Sequence, residues 1–191
     1  MSSGKTIRIG AVTACLALVL CACASKPVLL PKSAVAPPGV DFSGQWLLRE
    51  GGGTGPAAER APRMEPSLTG TSRRSRRTRS SRQSSVHVFL ETGKSLKITQ
   101  TNHGFFVSLD RSIVEEFTFG EDQIVTVGPI EAHRVSGWEG ARYIVETLDK
   151  QGAVLREEWH LDESGDVLLR DITIVENKKV KLSAQQQFDR Q

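Results

Sequence analysis

Two residues of opposite charge, Glu157 and Arg170, occupy positions where strand alternation otherwise places oily side chains. The stretch 142–188 carries four apolar-rich runs separated by short turn segments, the pattern of an antiparallel meander. Lys150-Gln151-Gly152 suits a three-residue hairpin, the glycine supplying the positive φ of a type I turn followed by a bulge. That register sets Tyr143 opposite Trp159, Val145 opposite Glu157 and Thr147 opposite Leu155, with Arg156, Glu158 and His160 on the other face. A turn at 162–165 is expected to bring Trp159 opposite Leu168, Glu157 opposite Arg170 and Leu155 opposite Ile172. The next turn sets Leu182 opposite Ile172 and Ala184 opposite Arg170, leaving space beside the guanidinium. An inward ion pair is costly unless well hydrogen-bonded or wet. Glu157 and Arg170 therefore point either to a solvated ligand pocket or to mutual neutralisation within a filled core.

The other polar constellations are weaker. Glu158, His160 and Asp162 share one strand face at steps of about 7 Å, a spacing that suits a divalent cation but equally describes a solvated outer face. No metal site is expected from them. Residues 162–166, DESGD, have calcium-loop composition without the length or the distant bidentate glutamate, so they form a turn. There is no G-x-S-x-G elbow, phosphate loop or H-E-x-x-H, and His87, His103, His133 and His160 are scattered singly. No catalytic residue, enzymatic activity or cofactor is expected. Trp46, Trp138, Trp159 and Tyr143 fit core positions better than a binding cage.

Six arginines, Arg73, Arg74, Arg76, Arg77, Arg79 and Arg82, fall in the stretch 69–85, which has no large apolar residue. They outweigh the chain's formal surplus of +3, so the rest of the protein is net acidic. The segment 50–85 is expected as a flexible basic insertion. It serves either as a contact for anionic lipid headgroups, at up to about 1 kcal/mol per arginine, or as a solvated loop, or as a dock onto the acidic remainder. Nucleic acid is not an expected partner, because no aromatic residue is interleaved to stack bases and the amino end carries an export signal.

That signal consists of Lys5 and Arg8 followed by the uncharged run 9–20, too short to span a bilayer. All three cysteines, Cys15, Cys21 and Cys23, lie in or just after it, which excludes disulfides and thiol chemistry from the exported body. Leu20-Cys21-Ala22-Cys23 resembles the bacterial lipobox, and the resemblance implies a signal peptide at 1–22 and a diacylated Cys23 anchoring the protein in a membrane. Ordinary cleavage after Ala24 is the alternative. With Ala24, not Asp, after the cysteine, the lipoprotein resemblance implies an outer-membrane lipoprotein of the bacterial envelope facing the periplasm. Residues 23–40 hold four prolines and are expected to act as a tether reaching up to about 50 Å.

Residues 41–49 open the folded body, with Phe42, Trp46 and Leu48 alternating to one side. The D-x-S-G-x-W opening, the W-x-G turn at 138–140 and the late strand ending Trp159-His160-Leu161 resemble small lipocalin-like barrels of uncharacterised bacterial exported lipoproteins. The resemblance implies an all-β fold and an envelope address. About nine short strands are expected, the first at 41–49 and the remainder in 86–191, resuming at Val86 and forming a single antiparallel barrel or strongly rolled sheet. Two functions follow. One is binding of a small amphiphile or lipid in the barrel interior with Arg170 and Glu157 near its polar end, where analogy with lipid-binding barrels assigns the ligand's carboxylate or phosphate to Arg170. The other is a structural or interaction lipoprotein with a filled barrel that contacts envelope partners or anionic lipid through its surface or its basic insertion.

Overall fold

The computed structural model describes residues 27–51 and 84–191. Cys23 and the six arginines of 73–82 lie outside the described residues. Ten strands form one antiparallel sheet: β1 (Gly44–Leu48), β2 (Ser95–Gln100), β3 (Gly104–Leu109), β4 (Ile113–Thr118), β5 (Glu121–Val127), β6 (Ile130–Glu139), β7 (Arg142–Asp149), β8 (Val154–Leu161), β9 (Val167–Glu176) and β10 (Lys179–Arg190). Their order, β4-β3-β2-β1-β10-β9-β8-β7-β6-β5, rolls the sheet into a barrel whose one unpaired seam lies between β4 and β5. The all-β barrel expected from the sequence is therefore present, with ten strands instead of about nine. Val86 does not begin a strand: Ser85–Phe89 is a 3-10 turn that buries Val86 and Phe89.

The first late hairpin has the expected register, Tyr143 to Trp159 and Thr147 to Leu155, with Gly152 at φ +88°. The next two are shifted by two residues. Trp159 faces Arg170, Glu157 faces Ile172 and Leu155 faces Ile174, because the β8–β9 turn is longer than expected. The Asp162 carboxylate holds that turn open, accepting from the Val167 N–H at 3.1 Å and from the Ser164 hydroxyl at 2.9 Å, while the Asp162 N–H donates to the Val167 carbonyl at 2.9 Å. The β9–β10 turn is a two-residue one with Asn177 and Lys178 at φ 50° and 62°. A bulge between Val180 and Leu182 then sets Gln186, not Ala184, opposite Arg170. Both shifts are even in their effect on facing, so every inward residue stays inward.

Inward side chains sort into layers. At the end where the chain enters β1, Phe42, Trp46, Phe105, Phe117, Phe119, Trp138, Tyr143, Trp159 and Phe188 pack in one cluster. Phe105 and Tyr143 meet edge to face at 4.6 Å between centroids, within the favoured range for such pairs. At the opposite end Val86, Phe89, Leu155, Ile172 and Ile174 form an aliphatic cluster under the 3-10 turn. Ser85 fastens that turn to the β7–β8 hairpin: its N–H and hydroxyl both donate to the Asp149 carboxylate, at 3.0 and 3.1 Å.

The proline-rich stretch, expected as a spacer, is packed over residues 27–40. Pro27 lies near Gly152, and Lys32 reaches Glu139 and Glu146 on the outer wall at 2.5 and 3.0 Å. Ser33 exchanges two backbone hydrogen bonds with Trp138. The strap then rounds the aromatic end, where Ala36 and Val40 join the core and Phe42 enters it. Gly137 permits this crossing, since a Cβ there would lie 2.5 Å from the Ser33 carbonyl oxygen and 2.7 Å from Lys32 Cβ. Gly137→Ala should therefore cost about 1–3 kcal/mol, as overpacking does elsewhere. Urea denaturation measures it, and an unchanged midpoint would show that the strap does not pack at Gly137.

Candidate functional site

The site begins with a break in the wall. β4 and β5 are joined by only Phe119 and Gly120, yet they do not pair. The Thr118 carbonyl, which a β5 amide would otherwise approach, accepts instead from the Ser136 hydroxyl at 3.0 Å and the Tyr143 hydroxyl at 3.3 Å. The two strands splay from that point, and a cavity of ≈ 340 Å³ opens between them, lined by Phe89, Glu115, Glu116, Arg134 and residues 123–127 of β5.

Behind the opening lies a polar belt between the aromatic and aliphatic layers. Alternation supplies it one residue at a time: Glu157 between Leu155 and Trp159 on β8, and Arg170 between Leu168 and Ile172 on β9. Glu115, Arg134, Thr147 and Gln186 are further polar residues at inward positions of β4, β6, β7 and β10. The expected pair is real. Arg170 Nε donates to Glu157 Oε2 at 2.8 Å, and Nη2 bonds the same oxygen. The contact is diagonal across the β8–β9 ladder, which is how it survives a two-residue register shift.

Arg170 is closed on itself chemically. Its Nη1 donates to the Glu91 carbonyl at 2.9 Å and to Gln186 Oε1 at 3.2 Å, and the guanidinium carbon lies 4.5 Å from the Trp159 ring centroid. The side chains of Arg170 and Glu157 are 1% and 2% exposed. The space expected beside Arg170 is filled by Gln186.

The residues facing the opening are different ones, Glu115 and Arg134. Arg134 Nε donates to Thr147 Oγ1 at 3.3 Å, and Arg134 forms no ion pair among the described residues. Burial pushes the Glu115 carboxyl up to about 7; the Glu157 charge adds to this, while Arg134 and Arg170 oppose it. A half-buried guanidinium beside a carboxyl that is about half protonated near pH 7 can pair with an anion. Neither residue was singled out from the sequence, although alternation carried the signal: Glu115 shares a face with Phe117, and Arg134 with Ala132 and Trp138.

The outer constellation does no comparable chemistry. Glu158 is held by Arg142 and Arg156 at 3.0 and 2.9 Å, Asp162 by its own turn, and His160 stands 3.9 Å from Asp171. A second groove of ≈ 350 Å³ on this outer wall is lined by Arg142, Glu158, Asp171 and Thr173, most of them already engaged. Among the described residues, no three His, Cys, Asp or Glu side chains come together for a metal.

No family model matches this chain, and no curated protein matches it. Among solved structures it is similar to secretory abundant heat soluble protein 4 from Ramazzottius varieornatus, at 15% identity and TM-score 0.46, over 80% of this chain and 96% of that one. It is also similar to the REP1-NXSQ fatty acid transporter, at 12% identity and TM-score 0.43, over 79% and 96% of the two chains. Apo lipid binding protein 8 from Caenorhabditis elegans matches at 11% identity and TM-score 0.40, over 51% and 70%. At these TM-scores none of them informs the site.

Two outcomes follow from the geometry. Arg170→Met alone should destabilise the protein by about 3–5 kcal/mol, by stranding the buried Glu157 charge, whereas adding Glu157→Leu should recover most of that loss. A urea double-mutant cycle reads this directly, and equal stability of single and double variants would show the pair to be solvated. Glu115 holds its proton more tightly in the native state than at its ordinary value of 4.5, so its contribution is full below about pH 4.5 and is lost as pH rises through 7. Glu115→Gln should flatten the fall in stability across that window; an unaltered slope would assign the dependence to another group.

Proposed function

We propose that this protein is a non-enzymatic, lipid-anchored envelope barrel that binds a small anionic amphiphile at the β4–β5 opening. The observation that carries the reading is the Arg134 guanidinium, free of any carboxylate among the described residues, beside a carboxyl shifted toward neutrality in a cavity of ≈ 340 Å³. An acidic headgroup, carboxylate or phosphate, pairs with Arg134, while Phe89 and Val125 offer apolar surface to the chain behind it. Arg170 and Glu157 serve this site from the rear. With its donors engaged and its charge answered by Glu157, Arg170 holds the interior behind the opening together without contacting the ligand.

Dodecanoate and dodecyl phosphate, with dodecanol as the uncharged control, test the reading by native mass spectrometry. Both anions should bind at least about tenfold tighter than the alcohol, and Arg134→Gln should remove about 1.5–3 kcal/mol of that binding. Affinity should rise as pH falls through 7, because protonating Glu115 removes a competing negative charge. Equal retention of all three probes, or anion binding indifferent to Arg134→Gln, would overturn the reading.

A second reading is favoured by the packed interior: the aromatic and aliphatic clusters leave a barrel filled by its own side chains, as suits an interaction or structural lipoprotein. Binding of the anionic probes at the opening separates the two. The envelope address rests on Cys23 and the signal pattern at 1–22. It predicts an amino-terminal peptide beginning at acylated Cys23 in mass spectra of the mature protein from a bacterial host; a mature chain beginning at Ser25 would replace lipidation by ordinary secretion.

A further inference from the structure

An up-and-down barrel sends alternate turns to opposite ends, and the two ends of this one differ in chemistry. One end carries the β3–β4, β5–β6, β7–β8 and β9–β10 turns together with the 3-10 turn Ser85–Phe89. The other carries the β2–β3, β4–β5, β6–β7 and β8–β9 turns and the entry into β1.

Several apolar residues are exposed at the first end, while Leu30, Val35, Phe106 and Ile124 are exposed elsewhere on the strap and the wall. Val114 and Ile113 follow the β3–β4 turn, Val127 precedes the β5–β6 turn, Val180 follows the β9–β10 turn and Val88 lies in the 3-10 turn, with Val114 and Val180 65% and 63% exposed. Val114 and Val180 lie outside the core, while Ile113 and Val127 carry the inward rows of β4 and β5 out to the rim. The strap adds Val28, exposed beside Pro27, where it runs past the β7–β8 hairpin.

The ends differ in charge as well. Exposed cations at this end are Lys94, Arg111, Lys178, Lys179 and Lys181, none in an ion pair among the described residues. Of the acids there, Asp110 Oδ1 accepts from the Lys94 and Ser95 N–H groups, Glu131 pairs with Lys150 and Glu176 with Ser84, while the carboxylates of Glu50 and Glu91 have no partner among the described residues. At the far end Glu163 and Asp41 are exposed acids outside any ion pair among the described residues, while Asp122 and Asp166 stand against His133 and Arg190.

An apolar rim ringed by unpaired lysines matches one surface, a bilayer of anionic phospholipid, in which valine and isoleucine enter the interface and ammonium groups meet phosphates. We infer that the barrel docks end-on to an anionic bilayer through Ile113, Val114, Val127 and Val180, with Lys178, Lys179 and Lys181 on the headgroups. The strap agrees, since Pro27 emerges at this same end and only three residues separate it from Cys23. The β4–β5 opening widens toward this end as well, so the dock would set the proposed amphiphile site against the membrane, although the dock stands without that site.

The full chain carrying p-benzoylphenylalanine at Val114, Val180 or, as control, Glu163 is mixed with phosphatidylglycerol vesicles and irradiated. Lipid crosslinks should form at Val114 and Val180 and be about tenfold fewer at Glu163. Lys178→Glu, Lys179→Glu and Lys181→Glu together should lower the Val114 yield by about tenfold or more, given the headgroup attraction of each lysine. Equal yields at both ends, a yield indifferent to the triple substitution, or crosslinks from Val114 to a second copy instead of lipid would overturn the dock. Dodecyl phosphate binding measured without vesicles reads the amphiphile site alone, so failure of that site and failure of the dock are read separately.

Discussion

A guanidinium sealed inside a small barrel must have its donors answered by protein, because each unanswered one carries a desolvation cost of roughly 1–3 kcal/mol or more. Arg170 meets that constraint by drawing on three separate parts of the chain: Glu157 on β8, Gln186 on β10 and the Glu91 carbonyl after the 3-10 turn. Trp159 covers its face. The aromatic layer, the polar belt and the cap over the aliphatic layer thus meet at one side chain, and the interior is organised around keeping it satisfied.

The belt also explains why the wall opens where it does. Inward positions of β4 and β6 at this level carry Glu115 and Arg134 in place of hydrocarbon, so sealing β5 onto β4 would bury a further carboxyl and a further guanidinium. The splay of the two strands leaves both in reach of water. At its narrow end the splay is anchored by the Ser136 and Tyr143 hydroxyls on the Thr118 carbonyl, which stand in for the missing ladder bonds. Side-chain bonding and a solvated polar pair together account for the one unpaired seam.

The strap acts on the outside of the same structure. Its line from Pro27 past Lys32 and Ser33 to Phe42 covers the wall over β6 and β7, and Ile144, an outward residue of β7, is fully buried as a result. Proline suits such a path, since a strap pairing through one residue, Ser33, needs few backbone donors and loses less entropy on docking than a flexible chain.

Much of this was legible in the residues. Period-two alternation determined the all-β class, the inward facing of Glu157 and Arg170 and the core roles of Trp46, Trp159 and Tyr143, because facing depends only on parity along a strand. The Lys150-Gln151-Gly152 hairpin was equally readable, its glycine naming the turn type. Register beyond that hairpin was not: the Asp162 carboxylate lengthens one turn and a bulge near Lys181 offsets the next, and both depend on hydrogen bonds that no local pattern announces. The packing of the strap, the 3-10 cap in place of a strand at Val86 and the seam at β4–β5 belong to tertiary structure alone. Each is decided by which distant groups satisfy a backbone or a buried charge, and that pairing exists only once the sheet has closed.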